Sequence, residues 1–298
     1  MSKRLFILCS LFILLLQVNA RSKTQVLIIG LDGISTEGLL TAKTPNIDRL
    51  MHEGAYTYKA RNVIPSITLP NWTSMLCGSG PERHGVTSNS WTLNNVTLSS
   101  VSKDADGYYP SIFKILKEQR PDALTAYYWN WKELINSINP AYLDEKNFLE
   151  NDAYKPNFEK ALEFMTTNRN KSWLTFLYDV HTDHAGHNSK WMSSPYITAI
   201  EEADAEIGKL FDKLKSEGLY NDMYILFLTD HGGVNYGHGG YSDTEMMIPF
   251  SVRGKGVKAG EMKNQHFNVN TASIIAHLFG IKQPLEWYGK VDRAIFGR

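Results

Sequence analysis

The six residues Val26 to Leu31, VLIIGL, form a nearly unbroken apolar run rich in β-branched side chains, and the run stops at Asp32-Gly33. A strand with one wet face alternates apolar and polar residues, so a run of this kind suits a strand covered on both faces. Ser172 to Tyr178 and Met223 to Leu228 read as further buried strands, followed by the polar strings DVHTDHAGH and TDHGG. The alternation of such runs with helical patterns predicts an α/β fold with a mainly parallel central sheet.

The helical patterns have legible ends. TPNIDRLMHEG offers Thr44 as N-cap, Pro45 in the first helical position, Ile47, Leu50 and Met51 on one face, and Gly54 as the stop. Residues 196 to 217 space Ile197, Ile200, Ile207, Leu210, Phe211 and Leu214 for burial of one helix face. Ile248 to Val252 predicts another strand, and Thr271 to Phe279 a helix capped by Thr271 and stopped by Gly280. No repeat, low-complexity tract or linker divides the chain, so residues 21–298 read as a single domain.

The first twenty residues place Lys3 and Arg4 before an apolar stretch and end in Val18-Asn19-Ala20, the pattern of a cleaved signal peptide. An uncleaved N-terminal anchor is the alternative, although the stretch is shorter than the roughly 20 residues of a membrane span. The signal implies a secreted or periplasmic protein. Its removal takes away two of 31 basic residues and none of 31 acidic ones, leaving a formal charge of −2. That balance argues against a nucleic-acid polymer as partner. Cys9 leaves with the signal, so Cys77 stays without an internal disulfide partner and reads as packing.

Asp32, Asp183 and Asp230 each follow a predicted strand, and ligand sites in open α/β sheets gather beyond the carboxyl ends of strands. Divalent cations need several oxygen and imidazole ligands, and the chain offers Asp183-x3-His187, the adjacent Asp230-His231, the Gly-flanked His238, and Asp32. These six ligands suffice for two ions. In the segment PSITLPNWTSMLC, Pro70 is placed to begin a helix, which puts Thr68 just before a helix N-terminus. Backbone N–H groups and the helix dipole there favour a phosphoryl group and a developing alkoxide.

In order along the chain, LDG, Thr68-Leu69-Pro70-Asn71, Pro81-x2-His84-Gly85, DHAGH, TDHGG and GHGG resemble the motifs of the nucleotide pyrophosphatase/phosphodiesterase family of the alkaline phosphatase superfamily. The resemblance implies a three-layer alkaline-phosphatase-like fold. It assigns one ion to Asp183, His187 and His238, and the other to Asp32, Asp230 and His231 together with Thr68. It makes Thr68 the nucleophile of a two-step hydrolysis and Asn89 a binder of phosphoryl oxygens. The implied cofactors are two divalent ions, Zn2+ by ligand type with Mn2+ as the alternative, and the implied substrate is a small phosphodiester or phosphoanhydride such as a nucleotide derivative or a phospholipid head group.

One departure from the family is visible. His231 and His238 are seven residues apart, where nucleotide pyrophosphatases insert a long segment, so a large cap insertion is not expected. A small open site leaves a phosphomonoesterase or phosphonate hydrolase as the alternative activity, and a catalytically idle surface binding protein as the alternative class. Trp129 and Trp131 are candidate walls of the substrate pocket, with core packing as the competing role. His84, His181 and His184 read as hydrogen-bonding neighbours of the ligands, His277 as a structural residue on an apolar helix face, and Asn71 as a buried, unglycosylated sequon residue.

Overall fold

A computed structural model describes residues 23–297, so the expected signal peptide lies outside the described residues. The strands are Gln25–Leu31 (β1), Ala55–Arg61 (β2), Leu124–Trp129 (β3), Glu145–Phe148 (β4), Trp173–Asp179 (β5), Tyr224–Leu228 (β6), Met247–Arg253 (β7) and Gly260–Glu261 (β8). They form one sheet of eight strands in the order β4-β3-β5-β1-β6-β7-β2-β8. Every neighbouring pair is parallel except β6 with β7 and β7 with β2, so β7 alone runs against the rest. The mainly parallel sheet expected from the apolar runs is therefore present, with one reversed strand.

The helices are Thr36–Thr41 (α1), Pro45–His52 (α2), Thr68–Cys77 (α3), Pro81–His84 (α4), Ile112–Gln119 (α5), Lys155–Thr167 (α6), His181–Ser189 (α7), Ser194–Ser216 (α8), Asp243–Met246 (α9) and Asn270–Phe279 (α10). Side chains of β1 alternate between the two faces. Val26 and Ile28 pack with Trp72, Phe113 and Ile274 of α3, α5 and α10, while Leu27, Ile29 and Leu31 pack with Leu50, Phe158 and Ile207 of α2, α6 and α8. All of β1 is buried, which explains why its sequence lacks the polar alternation of a one-sided strand.

Three helix starts differ from the sequence reading. α3 begins at Thr68 with Ile67 as N-cap, so Thr68 is the first helical residue and Pro70 the third. The first turn of a helix has no internal partner for its N–H groups, so a proline loses nothing at the third position. α10 begins at Asn270 after Val269, leaving Thr271 inside the helix rather than capping it. α8 starts at Ser194, where the side chain of Ser193 accepts the N–H of Tyr196 as a cap that the apolar spacing did not reveal. His277 is exposed and packs edge-on against Phe296, so it does not lie on the buried face of its helix. Asn71 and Cys77 are buried.

Candidate metal centre and active site

Asp32 and Asp230 stand just past the carboxyl ends of the adjacent strands β1 and β6. The turn after β1 uses Gly33 at φ +70°, where a Cβ would lie 2.9 Å from the Cβ of Asp183. Gly33 is required on both counts, for the left-handed backbone and for the close approach of a second carboxylate. Its N–H donates to Asp230 Oδ1 at 3.1 Å. Asp183 does not end a strand: the polar string after β5 folds as α7, which puts Asp183 and His187 one turn apart on one helix face.

Asp32 Oδ1, Asp183 Oδ1 and Asp230 Oδ2 are buried without a hydrogen-bond partner among the described residues. Around them the three histidines share one orientation rule. The Nδ1 atoms of His187, His231 and His238 face the carbonyls of Tyr236, Gly232 and Ser66 at 2.9, 2.9 and 3.0 Å. With Nδ1–H donating to a carbonyl, each Nε2 carries a lone pair and points inward.

Two groups result. His187 Nε2 lies 3.4 Å from Asp183 Oδ2 and 3.1 Å from His238 Nε2, which is 3.6 Å from Asp183 Oδ1. His231 Nε2 lies 3.5 Å from Asp32 Oδ1 and 3.2 Å from Asp230 Oδ2. Ligands at ~2.0–2.1 Å around a tetrahedral zinc stand roughly 3.3 Å from one another, so both groups have the dimensions of a cation's coordination shell. The rings of His231 and His238 stack with centroids 3.7 Å apart, which makes the two groups neighbours.

Electrostatics point the same way. Burial, then the negative charge of Asp183, pushes Asp32 up to about 8 from 3.8, and burial pushes Asp183 up to about 7. Asp230 rises well above the carboxylate range through burial and the charge of Asp32. Burial holds His231 well below its ordinary value and His238 down at about 4, so both are neutral near pH 7. Neutral imidazoles beside carboxylates that resist ionising are a donor set lacking its positive charge, and a divalent cation fits it.

Thr68 joins this set. As the first residue of α3 it is buried, and its Oγ1 lies 3.3 Å from His231 Nε2. Asn89 reaches the same helix start, its Oδ1 accepting the Leu69 N–H at 2.9 Å. That contact occupies one of the unpaired helix N–H groups and fixes the amide, leaving Nδ2 as the donor end.

The family model described as type I phosphodiesterase / nucleotide pyrophosphatase matches residues 26–251. The chain belongs to that family. Among relatives, the mouse ectonucleotide pyrophosphatase/phosphodiesterase family member 3 is 29% identical over 225 residues, 70% of this chain and 24% of that protein. The bis(5'-adenosyl)-triphosphatase of Bos taurus is 23% identical over 223 residues, 72% of this chain and 48% of that one. The chain thus spans about a quarter and about a half of the length of these two relatives. The solved murine member 5 superposes with a TM-score of 0.77 at 16% identity, covering 92% of this chain and 100% of that one, which speaks for the fold. An inactive variant of that murine protein was solved in complex with AMP, with a TM-score of 0.73 to this chain, 16% identity, and coverage of 88% and 96%.

Seen as a family member, the chain brings together the seven residues expected to hold metal, and Asn89 beside them. The aromatic candidates fare differently. Trp129 is buried in the core against Tyr127 and Phe148, the packing role that competed with a pocket wall. Trp131 is half-buried and packs with the small cluster of Leu69, Val86 and Trp91 next to the helix start. His181 faces Glu202, His184 pairs with Asp152, and buried His84 bonds Ser74 Oγ at 2.9 Å.

Four supporting residues went unrecognised as such in the sequence. Trp72 Nε1 donates to Asp32 Oδ2 at 3.1 Å, and the Tyr178 hydroxyl donates to the same oxygen. Trp191 Nε1 donates to Gly33 O at 2.9 Å while its ring stands edge-on to His187 and His238. Asn62 Nδ2 donates to Asp230 O at 2.9 Å. Their only signal in the sequence is the placement of Trp72 one turn after Thr68 and of Tyr178 next to the end of β5.

Proposed function

We propose that this chain hydrolyses phosphodiester or phosphoanhydride bonds in nucleotide derivatives, with Thr68 as nucleophile and two divalent cations, zinc, held by Asp183, His187 and His238 and by Asp32, Asp230 and His231. The observation that carries the reading is Thr68 Oγ1 at 3.3 Å from His231 Nε2, at the start of a helix and beside three unpartnered carboxylate oxygens. Family membership supports the reaction class, and the names of the relatives support nucleotides as the substrate class.

Bound, the cations would neutralise phosphoryl oxygens and lower the pKa of the Thr68 hydroxyl. The chain's own residues do the rest. Thr68 Oγ attacks phosphorus, the bond to the leaving oxygen breaks, and a phospho- or nucleotidyl-threonine forms. Water then takes the phosphoryl group from Thr68 and restores the hydroxyl. Asn89 Nδ2 donates to a phosphoryl oxygen, since its other end is held by Leu69. The catalytic unit is residues 21–298 as a single domain, exported as a secreted or periplasmic protein.

A phosphomonoesterase is the second reading, favoured by one observation. Val234 and Gly237 bridge to each other, so the link from His231 to His238 is a tight turn that carries no inserted cap. Hydrolysis of bis-p-nitrophenyl phosphate against p-nitrophenyl phosphate, in wild type, Thr68→Ala and chelator-treated protein, decides. A diester preference lost on both treatments supports the leading reading; a monoester preference with the same losses favours the second; activity indifferent to Thr68 sinks the mechanism.

A further inference from the structure

His238 reaches the candidate metal centre from a segment that cannot hold itself in place. It is followed by Gly239 and Gly240, which have no side chain to pack, and by Tyr241, which is 83% exposed. Such a stretch gives up much conformational freedom on ordering and needs ties from outside. Hydrogen bonds supply them. Ser66, two residues before Thr68, accepts the His238 Nδ1–H on its carbonyl at 3.0 Å and donates its hydroxyl to Gly240 O. The Glu245 carboxylate accepts the Gly240 N–H through Oε1 at 2.7 Å, and the Ser242 N–H and hydroxyl through Oε2.

Only part of this arrangement caps a helix. Ser242 and Glu245 form a capping box at the start of α9, and Oε2 alone satisfies it. Oε1 goes further back, to Gly240, two residues before the cap and two after His238. A Cβ on Gly240 would come within 2.6 Å of Oε2, so the backbone passes close over the carboxylate. The backbone end of Glu245 is fixed as well. Its carbonyl accepts the Gly232 N–H at 3.1 Å and Asn62 Nδ2 at 3.0 Å, and the same Nδ2 donates to Asp230 O at 2.9 Å. Glu245 is thus buried between the segment carrying Asp230 and His231 and the segment carrying His238.

We propose that Glu245 is a positioning residue: its carbonyl grips the Asp230-His231 segment, its carboxylate grips the His238 segment, and together they fix the distance between the two candidate cation groups. The stacking of His231 on His238, with centroids 3.7 Å apart, is the relationship it maintains. Glu245 belongs to neither ligand group. The inference rests on the proposed two-cation centre. A carboxylate is needed at this place, because Gln offers one oxygen and an NH2. Turned either way, the amide sets N–H against N–H at Gly240 or at Ser242.

The test is chelator-competition titration of zinc into the full chain, with Glu245→Gln, Gly240→Ala and Ser242→Ala beside wild type. Gly240→Ala breaks the same contact from the other side. These first two variants should weaken one of two ions by about 10–100-fold and leave the other near wild type, whereas a general loss of stability would weaken both. Ser242→Ala removes a hydroxyl of the capping box and keeps Oε1 on Gly240, so it should bind both ions as wild type does. Amide hydrogen exchange of metal-free protein gives a second readout: Glu245→Gln should speed exchange at residues 239–242 at least about tenfold and leave α7 unchanged. Zinc affinities unaltered by Glu245→Gln and Gly240→Ala, or lowered equally by Ser242→Ala, overturn the inference. If wild type holds fewer than two ions, the two-cation reading fails and the exchange decides alone: faster exchange at 239–242 upholds the hold of Glu245, and an unchanged rate overturns it.

Discussion

Trp72 donates its indole N–H to Asp32 Oδ2 at 3.1 Å, so the helix that begins with Thr68 also holds a carboxylate of the neighbouring strand end. Gly30 makes room for it: a Cβ there would lie 2.6 Å from the Trp72 ring. One helix thus aligns the proposed nucleophile with a proposed metal ligand, and the alignment can be broken without emptying the core.

Trp72→Phe keeps an aromatic ring against Phe176 and removes the N–H. Losing such an outer hydrogen bond costs roughly 10–100-fold in metal affinity or activity. Zinc titration against a competing chelator should show weakened binding, with the fold retained by circular dichroism. Unchanged affinity would mean that Tyr178 alone orients Asp32.

Thr68→Ala should lower kcat by at least ~10³-fold, because the covalent intermediate cannot form. Thr68→Ser should retain far more activity than Thr68→Ala. Metal content by atomic absorption should stay near wild type in both, since Asp32, Asp230 and His231 remain.

Metal-free protein should lose stability as pH rises from about 6.5 to about 8, whereas below that range the depressed His231 and His238 act with the opposite sign. Burial raises Asp32 to about 8 and Asp183 to about 7 from 3.8, so the folded state binds more protons than the unfolded state in that window. The stabilisation is full below the unfolded value and is lost as pH passes the folded values. Tm measured across this range in chelator should fall, and added zinc should raise it most at the alkaline end, where the ligands are deprotonated. A chelated Tm that climbs from pH 6.5 to 8 would refute this.

Asn130 is buried at the turn that launches α7. Its Nδ2 donates to Asp179 Oδ1 at 3.1 Å and its Oδ1 accepts the Val180 N–H at 3.0 Å. Asn130→Ala leaves the Val180 N–H unpaired and Asp179 Oδ1 with only the His181 N–H, and should cost about 2 kcal/mol of stability in urea denaturation. Asn130→Asp keeps the acceptor but sets a second carboxylate against Asp179, and should not rescue the loss.

Gly33→Ala should be worse than an ordinary glycine change. It meets both a positive φ and Asp183 at 2.9 Å, so thermal stability and zinc content should fall together.

The apolar runs of β1, β5 and β6 dictated a buried, mainly parallel sheet, because strands covered on both faces cannot afford polar alternation. The clustering of the candidate ligands was also legible, since Asp and His residues beyond such runs are poor choices for anything but a site. Other features had no local signal. The reversed direction of β7, the helical state of the string carrying Asp183, and the start of α3 at Thr68 depend on which segments come to lie side by side. So do the supports from Trp72, Tyr178, Trp191 and Asn62, which join residues as far as 168 positions apart. A sequence records which side chains carry donors, acceptors and charge. Which of them meet is decided by the packing of the layers, and that packing left Asp32, Asp183 and Asp230 with oxygens that no other side chain satisfies.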